Sequence, residues 1–128
     1  MPTRILVDTN FLLIPVRFKV DIFTDSSDAV NDLTEFYVSS RVLNEIRLLK
    51  EKSKPSFVKE LRLAETYAGQ CTLIEDPSDG EVDDSLVNLA SRERMVLGTT
   101  DSELRQKARK AGVKVIYLRQ RNYLVLDG

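Results

Sequence analysis

Five short apolar runs alternate with longer amphipathic stretches in this chain, and that alternation leaves few folds open to it. RILV at 4–7, FYV at 36–38, CTLI at 71–74, MVLG at 95–98 and VKVIYL at 113–118 read as strands. Residues 41–53 read as a helix opened by serine, with Val42, Ile46 and Leu49 on one face and Leu43 widening it. Residues 57–68 form another, aligning Phe57, Leu61, Ala64 and Ala68, with Gly69 placed to cap it. A helix beyond the turn-rich loop EDPSDGEVDDS turns Val82, Leu86, Leu89 and Ala90 inward, and SELRQKARKAG forms one more that stops at Gly112. Residues 11–14 begin an element that Pro15 stops, and 16–28 read as a short helix or loop. The tail RNYLVLDG adds a short strand or a docking segment. The expected architecture is a three-layer α/β/α fold, in one domain spanning 1–128, around a mostly parallel sheet of about five strands.

The residues that are missing narrow the chemistry. The chain has no histidine, which removes imidazole acid–base catalysis, serine–histidine triads and most transition-metal sites. Cys71 is the only cysteine, so neither an intrachain disulfide nor a thiolate cluster is available. No apolar run approaches a membrane span, and the N-terminus lacks a signal-type hydrophobic segment. A soluble, cytoplasmic protein without a membrane partner is the expectation, and any metal in it is held by oxygen.

The net charge is −1, but it is unevenly spread. Residues 1–90 carry 10 basic and 16 acidic side chains, whereas residues 91–121 carry 9 and 3. Such asymmetry places a basic face beside an acidic cleft, or is the ordinary solvated side of a helix.

In ILVDTNFLL, residues 5–13, an aspartate ends a buried strand. A strand-to-helix turn accounts for it, since Asp, Thr and Asn all bind nearby backbone amides. Asp101, however, follows the fourth strand, and in a parallel sheet both acids emerge on the edge where such folds gather their chemistry. Glu45 lies on the helix after strand two, close to the same edge, or is a plain surface glutamate. Asp84, beside Asp83, opens the helix after the acidic loop, where the helix dipole favours acids in any case. Asp79 and Glu81 leave the choice within this loop open, and adjacent helical residues point about 100° apart. Carboxylates that converge in one cleft repel one another unless a cation joins them, and Mg²⁺ or Mn²⁺ suits such oxygen ligands. Metal-assisted hydrolysis of a phosphodiester fits the residue types present.

Four pieces, VDTN at 7–10, the glutamate of VLNEI at 42–46, DDSLVNLA at 83–90 and GTTDSEL at 98–104, resemble in order the motifs of the PIN domains, a family of compact metal-dependent ribonucleases. The resemblance covers nearly the whole chain. It implies that Asp8, Glu45, Asp84 and Asp101 are catalytic, metal-binding acids, with Asn10, Thr99, Thr100 and Asp83 supporting them. It also implies in-line hydrolysis of RNA that leaves a 5′-phosphate and a 3′-hydroxyl. DTNFLLIPVRFKVDIF, residues 8–23, is similar to the branch that contains the small-subunit ribosomal RNA-processing endonuclease and its archaeal relatives, which implies precursor ribosomal RNA as substrate. The eukaryotic enzymes of that branch carry basic N-terminal extensions, whereas the motif begins here by residue 8.

Arg92, Arg94, Arg105, Lys107, Arg109, Lys110, Arg119 and Arg121 are the candidates for contacts to the RNA backbone, with a solvated helix face as the plain alternative. A homodimer and a ribosome-assembly partner are the further partners considered. Two other functions share these residues: the toxin of a toxin–antitoxin pair, and a catalytically silent RNA-binding scaffold of ribosome assembly.

Overall fold

Ile5, Leu6 and Val7 are fully buried because their strand lies in the middle of the sheet. The computed structural model describes residues 1–128. In it β1 (Thr3–Val7) is followed by three helices, α1 (Thr9–Leu12), α2 (Ile14–Phe18) and α3 (Ile22–Val30). Then come β2 (Thr34–Ser39), α4 (Ser40–Lys52), α5 (Pro55–Ala68) and β3 (Thr72–Ile74). The second half holds α6 (Val82–Glu93), β4 (Val96–Gly98), α7 (Ser102–Lys110), β5 (Val115–Arg119) and β6 (Tyr123–Asp127).

The sheet has six strands in the order β3-β2-β1-β4-β5-β6. All neighbours are parallel except the β5–β6 hairpin, so the tail supplies an antiparallel sixth strand beyond the five expected. Its turn sets Gln120 and Arg121 at φ 53° and 59°, the left-handed geometry that suits a tight hairpin.

Chain order and strand order together place the functional edge. From β1 the chain steps one way, to β2 and β3; from β4 it steps the other way, to β5. Right-handed crossovers put α1–α5 on one face of the sheet and α6 and α7 on the other. The packing agrees: α5 touches α1, α2 and α4, and α6 touches α7. The direction of winding therefore reverses between β1 and β4, and a crevice opens beyond the C-terminal ends of those two strands. Val7 and Gly98 are paired there, immediately before Asp8 and Thr99.

One local expectation needs correction. Pro15 does not stop an element; it lies in the first turn of α2, where its missing N–H would have no partner in any case. Residues 16–28 are mostly helical, and Lys19 (φ 56°) makes the left-handed break between α2 and α3. Gly112, at φ 78°, follows α7 as expected, but Gly69 caps α5 in an ordinary right-handed conformation.

Candidate active site

Asp8 is buried at the end of β1 and caps α1, its Oδ1 accepting from the Phe11 N–H at 2.7 Å. Its other oxygen accepts a hydrogen bond from the Thr99 hydroxyl. Burial is the main influence on this carboxyl and drives its pKa up to about 7; repulsion from Glu45 and Asp83 adds to the rise, against the two hydrogen bonds.

Thr99 also works in the other direction, its Oγ1 accepting from the Asp101 N–H at 3.0 Å. One fully buried hydroxyl thus ties the ends of β1 and β4 together. Asp101 caps α7, accepting from the N–H groups of Glu103 and Leu104 at 2.9 and 3.4 Å through Oδ1. That leaves Oδ2 free of the cap.

Glu45 comes up from α4 and accepts from the Thr9 hydroxyl at 2.6 Å. The hydroxyl cap of Ser39 on Val42 N–H (3.2 Å) starts that helix at the sheet edge, so a residue in its second turn still reaches the crevice.

The acidic pair at the start of α6 divides. Asp83 is partly buried and its pKa is raised, first by burial and next by the charge of Asp101, with Glu45 contributing. Asp84 is more exposed, its side chain at 60% and 3.3 Å from Lys107 Nζ. The Lys107 ammonium is also 3.9 Å from Glu81, and the hydrogen bond to Asp84 is the main reason its pKa is raised. The 100° between adjacent helical residues accounts for the split.

Asp8 feels the charges of Glu45 and Asp83, and Asp83 those of Asp101 and Glu45, while Lys107 acts on both Asp83 and Asp84. No three of these acids close into a ligand cage. Unpaired carboxylates hold each other off, and Thr9 and the α7 amides each engage one carboxylate oxygen.

Of the supporting residues, Thr99 bonds to Asp8, while Asn10 and Thr100 are exposed. Thr9, which sequence reasoning did not single out, is buried and holds Glu45. Its only signal was its place inside VDTN.

The basic candidates separate by strand direction. Arg119 and Arg121 flank the β5–β6 turn on the same edge as Asp8, with the Arg121 guanidinium 5.6 Å from the Phe18 ring. Arg105 stacks at 4.0 Å over Tyr117, and Lys107 reaches the start of α6. Arg92, Arg94, Arg109 and Lys110 lie toward the opposite edge, where Arg109 pairs with Asp127 at 3.5 Å. The roomiest hollow, about 420 Å³ around Pro15, Lys19 and Tyr67, does not include the acids. No helix is long and apolar enough to cross a membrane.

Known proteins resemble this chain over most of its length. The family described as "PIN like domain" matches residues 5–121. Ribonuclease VapC4 of Methanocaldococcus jannaschii is 28% identical over 130 residues, covering 98% of this chain and 97% of its own. Ribonuclease VapC9 of Archaeoglobus fulgidus is 30% identical over 124 residues, covering 90% and 82%. Among solved structures, the PIN domain endonuclease Utp24 superposes with a TM-score of 0.79 at 20% identity, over 98% of this chain and 92% of that one. VapBC2 from Rickettsia felis, solved with a DNA fragment of its promoter, gives 0.60 at 15% identity over 81% and 92%. A buried aspartate at the winding reversal, the acids around it and a family match over nearly the whole chain lead to one assignment: this chain belongs to the PIN-like domain family.

Proposed function

We propose that this protein is a divalent-metal-dependent endoribonuclease. The observation that carries the reading is Asp8: a buried carboxylate with no basic partner, held by two hydrogen bonds and facing two further acids. A buried carboxylate of this kind is neutralised by a proton or by a counter-ion, and an all-oxygen donor set suits Mg²⁺ or Mn²⁺, which keep several waters and do not require a closed protein cage.

Asp8, Glu45, Asp83 and Asp101 would hold the ion, Asp83 taking the place that the motif resemblance gave to Asp84. Such an ion supplies Lewis acidity for activating water and drawing charge from the phosphoryl oxygens. The chain's own residues supply position. Thr99 fixes Asp8 and the Asp101 backbone together, Thr9 orients Glu45, and the α7 amides steady Asp101. Arg119 and Arg121 are placed to meet backbone phosphates on the same edge.

For the target, the 8–23 segment favours structured precursor ribosomal RNA, cut with partners of ribosome assembly. A second reading, a toxin-type ribonuclease, is supported by the near full-length similarity to VapC4 and VapC9. The test incubates the protein with labelled single-stranded and precursor ribosomal RNA in Mn²⁺, Mg²⁺ or chelator, beside Asp8→Asn and Asp101→Asn. Metal-dependent cutting lost in both variants is expected. Growth arrest on expression, with cutting of transfer RNA and not of the precursor, would move the protein to the toxin class. Tight RNA binding with no cutting in any condition would make it a scaffold.

A further inference from the structure

Beside Glu45, α4 and the first residue of α6 line another hollow of about 330 Å³. That is at the lower end of the range for small-ligand sites, roughly 300–1,000 Å³. Its walls differ in kind. Leu48, Leu49 and Val82 give it an apolar lining, and Leu48 is 46% exposed, a large aliphatic side chain standing clear of the core. Asn44 lies at its rim, its carboxamide oxygen engaged by Arg47 and its amide nitrogen free to donate. Lys52 closes the far end and pairs with no carboxylate.

The hollow is also braced. Arg41, at its near end, donates to the backbone carbonyls of Asp79 and Gly80, at 3.3 and 2.5 Å. The Ser40 hydroxyl accepts from the Asp76 N–H at 2.8 Å. The loop that leads into α6 is thus fixed to the first turn of α4. Glu45 belongs both to the hollow's lining and to the acids around Asp8, and Val82 directly precedes Asp83.

We propose that this hollow is a nucleobase subsite, which takes the base of a nucleotide flanking the scissile phosphate, sandwiches it against Leu48 and Leu49, reads its edge with the Asn44 amide and meets a neighbouring phosphate with Lys52. The inference rests on the endoribonuclease reading and adds a determinant of sequence preference to it. A flat apolar face with a polar rim matches a base, which is unstacked and readable in single-stranded RNA. Lys52 lies seven residues from Glu45 on α4, about 10 Å along the axis, within reach of a strand that passes over the acids. A single base-sized hollow with a free cation favours a nucleotide over a peptide helix, which needs a longer run of apolar anchors.

Two measurements test the subsite apart from the nuclease. Isotope-labelled Asp8→Asn protein is titrated with single-stranded tetranucleotide RNAs while the amide signals of Asn44, Leu48, Leu49 and Val82 are followed. In parallel, wild type, Asn44→Ala and Leu48→Ala proteins cut an RNA pool randomised around the cleavage site. The expected result is that the tetranucleotides shift those amides, and that a base preference at one flanking position falls roughly fivefold or more in both variants. Lys52→Ala should weaken all tetranucleotides alike and lower the salt slope by about 1. Metal-dependent cutting with an unchanged preference in both variants overturns the subsite and leaves the nuclease standing. Shifts in the hollow with no cutting by any preparation overturn the nuclease and, with it, the subsite's place beside a scissile phosphate, leaving a base-binding hollow of an RNA-binding protein. Amides that respond to an amphipathic helical peptide and not to RNA overturn the subsite in favour of a protein-docking groove.

Discussion

The Thr99 hydroxyl donates to the Asp8 carboxylate across 91 residues of chain and accepts from the Asp101 amide on its other side. A single side chain thereby sets the spacing of the two strand-end acids at the winding reversal. Thr99→Val keeps the shape of the side chain but removes both bonds. It should lower Mn²⁺ affinity, followed by calorimetric titration, and cleavage by about 10- to 100-fold, the usual cost of losing an outer partner of a metal ligand. Unchanged affinity would mean that Asp8 is positioned by burial alone.

Asp8 carries a pH signature of its own. Its folded pKa of about 7 lies above the ordinary carboxylate value of 3.8, chiefly through burial, so between those values the folded state binds more protons than the unfolded one. Stability therefore falls as pH rises from about 4 to 7, by on the order of 4 kcal/mol for this group alone. Metal-free wild type should lose thermal stability relative to Asp8→Asn across that window, and Mn²⁺ at pH 8 should restore it to wild type but not to the variant. Parallel profiles for the two proteins would refute the assignment.

Asp83 and Asp84 are neighbours in sequence that differ in exposure and partner: Asp83 is partly buried near the charges of Asp101 and Glu45, and Asp84 is exposed and bonded to Lys107. Asp83→Asn should lower metal affinity and cleavage more than about tenfold. Asp84→Asn, at a 60% exposed side chain paired with Lys107, should alter activity no more than about threefold and stability by under about 0.5 kcal/mol. The reverse ranking would place Asp84 in the crevice.

Gly98 is pressed against the α1 helix beneath the site. A Cβ there would lie 3.1 Å from the Phe11 ring, which is fully buried. Gly98→Ala should cost about 1–3 kcal/mol in denaturant unfolding by overpacking, and cleavage should drop with it, because Phe11 N–H holds the Asp8 carboxylate.

The basic residues should sort by sheet edge. Arg119→Ala and Arg121→Ala are expected to weaken RNA binding across sequences, each reducing the salt slope by about 1. Arg92→Ala and Arg94→Ala, at the other end of the sheet, should leave the slope unchanged.

Much of this protein was legible in its sequence. The apolar runs at 4–7, 36–38, 71–74, 95–98 and 113–118 all fall on strands; the central β1 shows why, since a strand buried in mid-sheet leaves an almost unbroken hydrophobic record. Asp8 and Asp101 were placed on one edge by strand direction alone, and the absence of histidine limited any metal site to oxygen ligands. The same reading stopped at contacts that cross the chain. Pro15 is compatible with either the end or the start of a helix, and only the packing of α1 and α2 on α5 selects the start.

Sequence thus determined the layers, the strand edge and the inventory of acids, since periodicity and residue chemistry are local properties. Tertiary structure decided which acids meet. It left Asp83 partly buried and bonded the exposed Asp84 to Lys107, and it gave Thr9 and Thr99 their carboxylates. Each of these depends on the rotation of a helix, or on a hydrogen bond between residues far apart in sequence, and is fixed only when the layers pack.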